Sequence, residues 1–219
     1  MEVRSAAQPH GPLPRVAPVR HLSEAPATVR ARVYTVHGAD VPGLTGHGKS
    51  AMRRLASELR RSGVSEVTSL EYNGDSFLAN QLAPLWEVLL GRFSKQAARQ
   101  VAEDLAARPL AKGEQVHLIG HSLGTRVAVN LADKLAARGV PVGSVALLEP
   151  KNGLIPPAVG RLPRVGRALI VENQAGVKLK NPHHVPVAEL LIPGQSHAQV
   201  IERPTHALLK AIGRLVRGG

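Results

Sequence analysis

The stretch QVHLIGHSLGTRVAVNLADKLAARG, residues 115–139, contains the local pattern that decides how the chain folds. It opens on an apolar run typical of a buried strand, and from Leu123 onward apolar residues recur at the spacing of a helix, which Gly139 ends. Between the two, GHSLG at residues 120–124 fits G-x-S-x-G, a pattern that places a serine on a sharp turn between a strand and a helix. The stretch therefore predicts a strand, an exposed Ser122 and a helix, in that order.

The two glycines of GHSLG are expected to be required by the turn. Ser122 would sit in a strained conformation with its neighbours packed close, so a side chain at Gly120 or Gly124 would clash. The N-terminus of the following helix would add a positive dipole where an oxyanion could form. The alternative interpretation is an ordinary tight turn that happens to contain a serine.

Outward from this turn, strand patterns and helix patterns alternate along the chain. Besides residues 115–120, apolar segments predict strands at residues 32–36, 67–72, 144–148, 168–172 and 188–192. Helical spacing predicts helices at residues 50–61, 78–107 (unbroken or broken), 123–138 and 204–216, the last with Pro204 in its first turn. This alternation predicts an α/β fold with a mainly parallel six-stranded sheet and helices on both faces, a three-layer sandwich.

The length of 219 residues is enough for one well-buried domain and short for two. Residues 1–30 are rich in Pro, Ala and Arg, so we expect a flexible N-terminal arm followed by one domain at residues 31–219. The arm lacks the apolar segment of a secretory signal peptide, and the sequence has no apolar run long enough to cross a bilayer. These features favour a cytoplasmic protein.

Charge and composition narrow the classes of partner. The net charge is +12, but the basic residues are scattered, and aromatic residues are only 2% of the chain, which argues against stacking on nucleic-acid bases. Nucleic acid is therefore not the expected partner, while peripheral contact with an anionic membrane stays open.

The absence of cysteine excludes disulfides, thiolate metal sites and a cysteine nucleophile. His183 and His184 have no metal-ligand spacing and are expected at the surface, and no metal or cofactor is predicted. The oligomeric state is not predicted.

A second motif, GLTGHGKS at residues 43–50, fits the phosphate-binding pattern G-x-x-x-x-G-K-[ST]. In such loops the strand runs directly into the glycine-rich turn, whereas here HGADVP, residues 37–42, intervenes. The only candidate for the Mg²⁺-binding acid is Glu149. We therefore expect a glycine-rich turn into a helix capped near Ser50, with Lys49 exposed. A nucleotide hydrolase is kept as the less favoured alternative.

With its strand-turn-helix context, GHSLG resembles the α/β-hydrolase fold family over residues 33–216. In that family an HG-x segment after an earlier strand supplies one oxyanion donor, and HGAD at residues 37–40 occupies that position. The resemblance implies an oxyanion hole formed by the N–H groups of Ala39 and Leu123. IPGQSHAQVIERP is similar to the family's closing segment, which implies that His197 is the catalytic base. An ordinary solvent-exposed loop histidine is the alternative.

The acid of the implied triad is left open by the sequence. Glu149 ends one strand pattern and resembles the acid of one branch of the family, whereas Glu172 ends the next strand, the more common position. Glu149 is the preferred triad acid and Glu172 is the alternative acid. The hypothesis that neither glutamate serves as the acid is also kept. Asp40 and Asp75 are expected to form surface turns, and His206 lies inside a predicted helix, away from the site.

The resemblance implies a serine hydrolase that cleaves a carboxylic ester or thioester through an acyl-enzyme on Ser122, with no cofactor. Acyl transfer to an acceptor other than water stays open. Residues 78–93, which include Trp86, lie where family members often place a cap, so a lipid-like substrate is one hypothesis and an ordinary core helix is the other. A catalytically silent hydrolase-like binding protein is the second class of function, because fold alone does not establish activity.

Overall fold

The computed structural model describes residues 29–38, 48–71, 92–150, 160–173 and 177–218. In this part of the chain, six strands form one sheet: β1 (Val29–Val36), β2 (Val64–Leu70), β3 (Val116–His121), β4 (Val142–Leu148), β5 (Arg167–Glu172) and β6 (Val187–Leu191). The order across the sheet is β2-β1-β3-β4-β5-β6, and every neighbouring pair is parallel. The predicted six-stranded parallel sheet is confirmed.

Helices cover both faces of the sheet, as predicted. The described helices are α1 (Gly48–Arg61), α2 (Arg92–Ala107), α3 (Leu123–Ala136), α4 (Gln199–Glu202) and α5 (His206–Arg217). Buried side chains of α1, α4 and α5 pack on one face of the sheet, and those of α2 and α3 pack on the other. Alternate residues of each central strand supply the two cores, since successive side chains of a strand point to opposite faces. The architecture is therefore the expected three-layer sandwich.

The register brings the carboxyl ends of the four central strands to one edge of the sheet. Val36 of β1 pairs with Gly120 of β3, and His121 pairs with Leu148 of β4, which in turn pairs with Val171 of β5. The residues that follow these strands therefore meet at this edge. In open α/β sheets this is where ligands bind.

Several element boundaries differ from those predicted from the sequence. β1 begins at Val29 and β2 at Val64, each three residues earlier than predicted. The start of β2 was missed because Glu66 is polar, although it forms an ion pair with the buried Arg32, at 3.1 Å from Glu66 Oε2 to Arg32 Nε. The short helix α4 was also missed, because four residues are too few to show a periodic pattern.

The prediction that Pro204 lies in the first turn of the last helix is wrong. α5 begins at His206, and Thr205 is its N-cap, with Oγ1 accepting a hydrogen bond from Leu208 N at 3.2 Å. Pro204 thus precedes the cap, because the threonine hydroxyl satisfies a backbone N–H of the first turn and so sets the helix start.

Some of the sequence predictions fall outside the described residues. They include most of the N-terminal arm, and the proposed cap segment up to residue 91. The end of that segment is described: Phe93 belongs to α2 and is buried in the core. Among the residues that the structure describes, no helix is both long enough and apolar enough to span a membrane.

Two histidines of β3 are buried, and their burial disfavours the charged ring. His117 contacts Ser144, with 2.8 Å from Nδ1 to Oγ. Burial, together with the nearby Arg167 cation, lowers the pKa of His117 to about 4. Burial and the charge of His197 lower the pKa of His121 to about 3, even though a hydrogen bond to the His197 backbone opposes this shift. Both rings are therefore neutral in the folded protein near neutral pH.

We expect the fold to lose stability in mild acid. In the unfolded chain both histidines titrate near 6.5, so below that pH the unfolded state binds more protons and the free energy of unfolding falls as the pH drops toward 4. Each histidine is expected to lower it by about 2 kcal/mol at pH 5. Urea unfolding near pH 7.5 and pH 5 tests this, and His121→Gln should remove about half of the difference.

The matched control for this titration is His206→Asn, since His206 is exposed at the start of α5. It should keep the full acid dependence of the parent protein. Equal stability of the parent protein at the two pH values would contradict the prediction.

Candidate active site

Ser122 lies on the turn that joins β3 to α3, in a backbone conformation that L-residues rarely adopt. Its φ is 54° and its ψ is −124°. The turn is held by hydrogen bonds on both sides: Ser122 N donates to Leu148 O at 3.0 Å, and Ser122 O accepts from Thr125 N at 3.0 Å and from Thr125 Oγ1 at 2.6 Å. Strain of this kind persists only where the surrounding structure enforces it, and it is concentrated at functional sites.

The glycines on either side of Ser122 allow helix α3 to approach the sheet very closely. A Cβ atom on Gly120 would lie 2.4 Å from Gly124 O, and one on Gly124 would lie 2.4 Å from Val36 O and 2.5 Å from His37 O. These neighbours are backbone atoms, which cannot move aside cheaply. The contacts account for glycine at both positions of the motif.

The end of β1 lies directly beside the serine. A Cβ atom on Gly38 would lie 2.9 Å from Ser122 Cβ and 3.5 Å from Ser122 Oγ. Of the two predicted oxyanion donors, Leu123 is the first residue of α3, next to Ser122. The other, Ala39, lies outside the described residues, directly after Gly38.

His197 and Glu149 form a pair at the same edge of the sheet. His197 Nδ1 lies 3.4 Å from Glu149 Oε2, and the Glu149 side chain is only 5% exposed. Glu149 directly follows β4 with a φ of 51°, and its N–H donates to Val171 O at 2.8 Å. Its other carboxylate oxygen, Oε1, accepts a hydrogen bond from Asn173 N. The carboxylate is thus held in place and directed at the imidazole.

Glu172, the alternative acid, has a different partner. Its two carboxylate oxygens accept from Val177 N, at 3.2 and 3.4 Å, within the segment that follows β5. The geometry therefore favours Glu149 as the carboxylate that supports His197.

Ser122 and His197 both line a small cavity of about 30 Å³. Its lining includes Gly38, Gly48, Ser122, His197, Ile201 and Glu202. The side chain of His197 is 35% exposed, so the imidazole reaches solvent while Glu149 is buried behind it. A serine, a histidine and a buried carboxylate thus meet at the carboxyl edge of the sheet.

His121, a residue that the sequence did not mark as functional, also lies in this site. Its Nε2 is 2.9 Å from His197 O, and the centroids of the two imidazole rings are 4.7 Å apart. The sequence feature that could have pointed to His121 is its position in the GHSLG motif, immediately before Ser122.

Of the motif GLTGHGKS, the structure describes residues 48–50, which form the start of a helix. Helix α1 begins at Gly48, two residues before the predicted start at Ser50, and the residue before Gly48, where a cap would lie, is outside the described residues. Lys49 is not fully exposed: its Nζ lies 2.8 Å from Glu71 Oε2, and its side chain is 32% exposed. Hydrogen bonds from Lys49 and then Arg53 lower the pKa of Glu71 to about 2. Lys49 therefore pairs with a carboxylate, which counts against a phosphate-binding role.

The remaining candidates are exposed or lie outside the described residues. His183, His184 and His206 are exposed, and Asp40 and Asp75 lie outside. Within the described ranges, no group of three or more His, Asp or Glu side chains could hold a metal ion.

Comparison with known proteins finds likeness in structure only. No protein-family profile and no curated protein sequence matches the chain. The NocB thioesterase domain, solved as a covalent complex with a fluorophosphonate nocardicin G analog, is 14% identical with a TM-score of 0.54, over 88% of this chain and 96% of that one. ClbQ from the colibactin NRPS/PKS pathway is 12% identical with a TM-score of 0.51, over 87% of this chain and 100% of ClbQ. A PytH variant is 16% identical with a TM-score of 0.50, over 85% of this chain and 97% of PytH. The chain therefore has the α/β-hydrolase fold.

Proposed function

We propose that the protein is a hydrolase that cleaves a carboxylic ester or thioester through an acyl-enzyme on Ser122. The observation that carries the proposal is the pairing of His197 Nδ1 with the buried Glu149 carboxylate, at 3.4 Å, beside the cavity that Ser122 also lines. A buried carboxylate on Nδ1 leaves Nε2 as the nitrogen that can take a proton from a serine. The thioesterase domain among the proteins of similar fold also supports a thioester as a candidate substrate.

In the proposed reaction, His197 Nε2 takes the Ser122 hydroxyl proton while Oγ attacks the acyl carbonyl carbon. The N–H groups of Leu123 and Ala39 stabilise the tetrahedral oxyanion, assisted by the positive end of α3. Its collapse expels the alcohol or thiol, which receives the proton from His197. Water, activated by the same imidazole, then releases the carboxylic acid and restores Ser122. Glu149 orients the ring and stabilises the imidazolium.

A fluorophosphonate probe with intact-mass detection tests this proposal, because the probe forms a bond with an activated serine. The parent protein is expected to gain a single adduct. After digestion with trypsin, the adduct should be found on the peptide of residues 113–126, GEQVHLIGHSLGTR, in which Ser122 is the only serine. His197→Ala should slow labelling by at least about 10²-fold, since it removes the general base.

The matched control is His206→Ala, which removes an exposed histidine from α5 and should label at the parent rate. Parent protein unfolded in guanidinium should not label. If the folded parent protein gains no adduct, the catalytic proposal fails and the silent binding protein becomes the preferred function. An adduct on another peptide would also refute the assignment of Ser122.

We expect the two candidate acids to differ sharply on substitution. Glu149→Gln should lower kcat for a p-nitrophenyl ester by about 10²- to 10⁴-fold, because an amide cannot stabilise the imidazolium and can hold His197 in the wrong tautomer. Glu172→Gln is the matched control at the end of the neighbouring strand, and it should leave kcat within about threefold. The reverse order of effects would assign the acid to Glu172.

A further inference from the structure

His121 makes a polar contact with the main chain of the proposed general base. Its side chain is buried, and its Nε2 lies 2.9 Å from the carbonyl oxygen of His197. Since a carbonyl oxygen can only accept, Nε2 carries the proton and donates it. The last residue of β3 therefore holds the backbone of a residue 76 positions later in the chain.

The two imidazole rings also contact each other, with centroids 4.7 Å apart and planes inclined at 40°. His197 is thus held at three points. Glu149 contacts its Nδ1, and His121 contacts both its carbonyl oxygen and its ring. Two of the three contacts come from His121, which directly precedes Ser122 in the sequence.

The turn that contains His197 has short-range hydrogen bonds, such as Ser196 N to Gln199 Oε1 at 2.8 Å, and Val200 and Ile201 of α4 are buried in the core. His197 lies in the turn between the exposed strand β6 and α4, which has only four residues. A helix this short is not stable by itself, so contacts from elsewhere must fix the turn. His121 supplies such a contact from β3, a fully buried strand in the middle of the sheet.

The electrostatic state of His121 suits a group beside a general base. Burial and the charge of His197 lower its pKa to about 3, so its ring stays neutral. Its Nδ1 is buried and has no hydrogen-bond partner among the described residues, which leaves Nε2 as the nitrogen that bonds the protein. A neutral donor holds His197 without repelling the imidazolium that forms during the reaction.

We propose that His121 is a positioning residue, whose Nε2–H anchors the main chain of His197 and so sets the distance from the general base to the neighbouring Ser122. The role in catalysis rests on the proposed function, whereas the anchor itself does not. Because a misplacement of about 1 Å can reduce a rate by about 10²-fold, one hydrogen bond to the backbone is enough to affect turnover.

Three substitutions separate the hydrogen bond from ring volume and burial. His121→Phe keeps an aromatic ring but removes the donor. His121→Gln places an amide N–H near the position of Nε2, and His121→Asn carries the same amide on a side chain one methylene shorter. The contrast between Gln and Asn keeps the test decisive if the Phe variant does not fold.

The first readout is deuterium uptake by peptides covering residues 195–203, which does not depend on activity. The amides of Val200 and Ile201 bond to Ser196 O and Ala198 O within this turn. We expect exchange about tenfold faster in the Phe and Asn variants and within about twofold of the parent protein in His121→Gln. Unchanged exchange in both Phe and Asn variants would overturn the proposal.

The second readout is ester hydrolysis. The Phe and Asn variants should show kcat reduced by about 10- to 100-fold with KM within about twofold, and His121→Gln should recover kcat to within about threefold. In a His197→Ala background, His121→Phe should change residual labelling by less than about twofold, because its effect passes through His197.

The two proposals fail in distinguishable ways. A parent protein that neither labels nor turns over an ester refutes the hydrolase, while deuterium uptake still decides whether His121 anchors the turn. If the parent protein is active and both His121→Phe and His121→Asn keep its kcat, the positioning role is overturned even if exchange changes.

Discussion

Ser122→Ala is expected to lower kcat for a p-nitrophenyl ester by about 10⁴-fold or more. Alanine keeps the Cβ atom and leaves the backbone hydrogen bonds of the turn in place, so the protein should remain folded. In the proposed mechanism, the substitution removes the oxygen that attacks the carbonyl and becomes acylated. Without it, the remaining groups can only orient water, which accounts for a small residual rate.

The matched control for this substitution is Ser62→Ala. Ser62 lies after α1, and its Oγ donates to Leu59 O at 2.8 Å, as part of the helix end rather than of the site. Its kcat should stay within about twofold of the parent value. Thermal unfolding of both variants checks that the fold is retained. If Ser122→Ala kept more than a tenth of the parent rate, the nucleophile would have to be a different residue.

Gly124→Ala is expected to destabilise the fold by about 3 kcal/mol or more and to abolish probe labelling. The new Cβ atom would lie 2.4 Å from Val36 O and 2.5 Å from His37 O, so α3 and the end of β1 would have to separate. The same movement would displace Ser122 from Gly38. The expected sign is opposite to helix propensity, which favours alanine over glycine by about 1 kcal/mol inside a helix.

Gly213→Ala provides the matched control, because Gly213 also lies inside a helix, α5. Its added Cβ atom would meet only the far end of the flexible Arg217 side chain, at 3.0 Å. This variant should be as stable as the parent protein or more stable by up to about 1 kcal/mol. The free energies of unfolding of the two variants, measured in urea, give the comparison. A Gly124→Ala protein with parental stability would show that α3 does not lie this close to β1.

The order of strands and helices, and the serine turn within it, could be predicted from the sequence because their signals are local. Side-chain periodicity distinguishes strand from helix over a few residues, and GHSLG is a contiguous motif whose glycines fit one turn geometry. Alternation along the chain then predicts a parallel sheet. The weaker predictions were those without such signals, namely the polar start of β2, the four-residue α4 and the exact start of α5.

The tertiary structure decided which side chains meet at the carboxyl edge of the sheet. Glu149 and Glu172 end adjacent parallel strands, and no pattern in the sequence places the later histidine turn nearer to one than to the other. In the structure, Glu149 pairs with His197, whereas the Glu172 carboxylate accepts a hydrogen bond from Val177 N. Likewise, only the fold could reveal that His121 contacts His197. Such contacts join residues dozens of positions apart in the sequence. They depend on strand order, strand register and the path of a turn, and these are defined only in the folded chain.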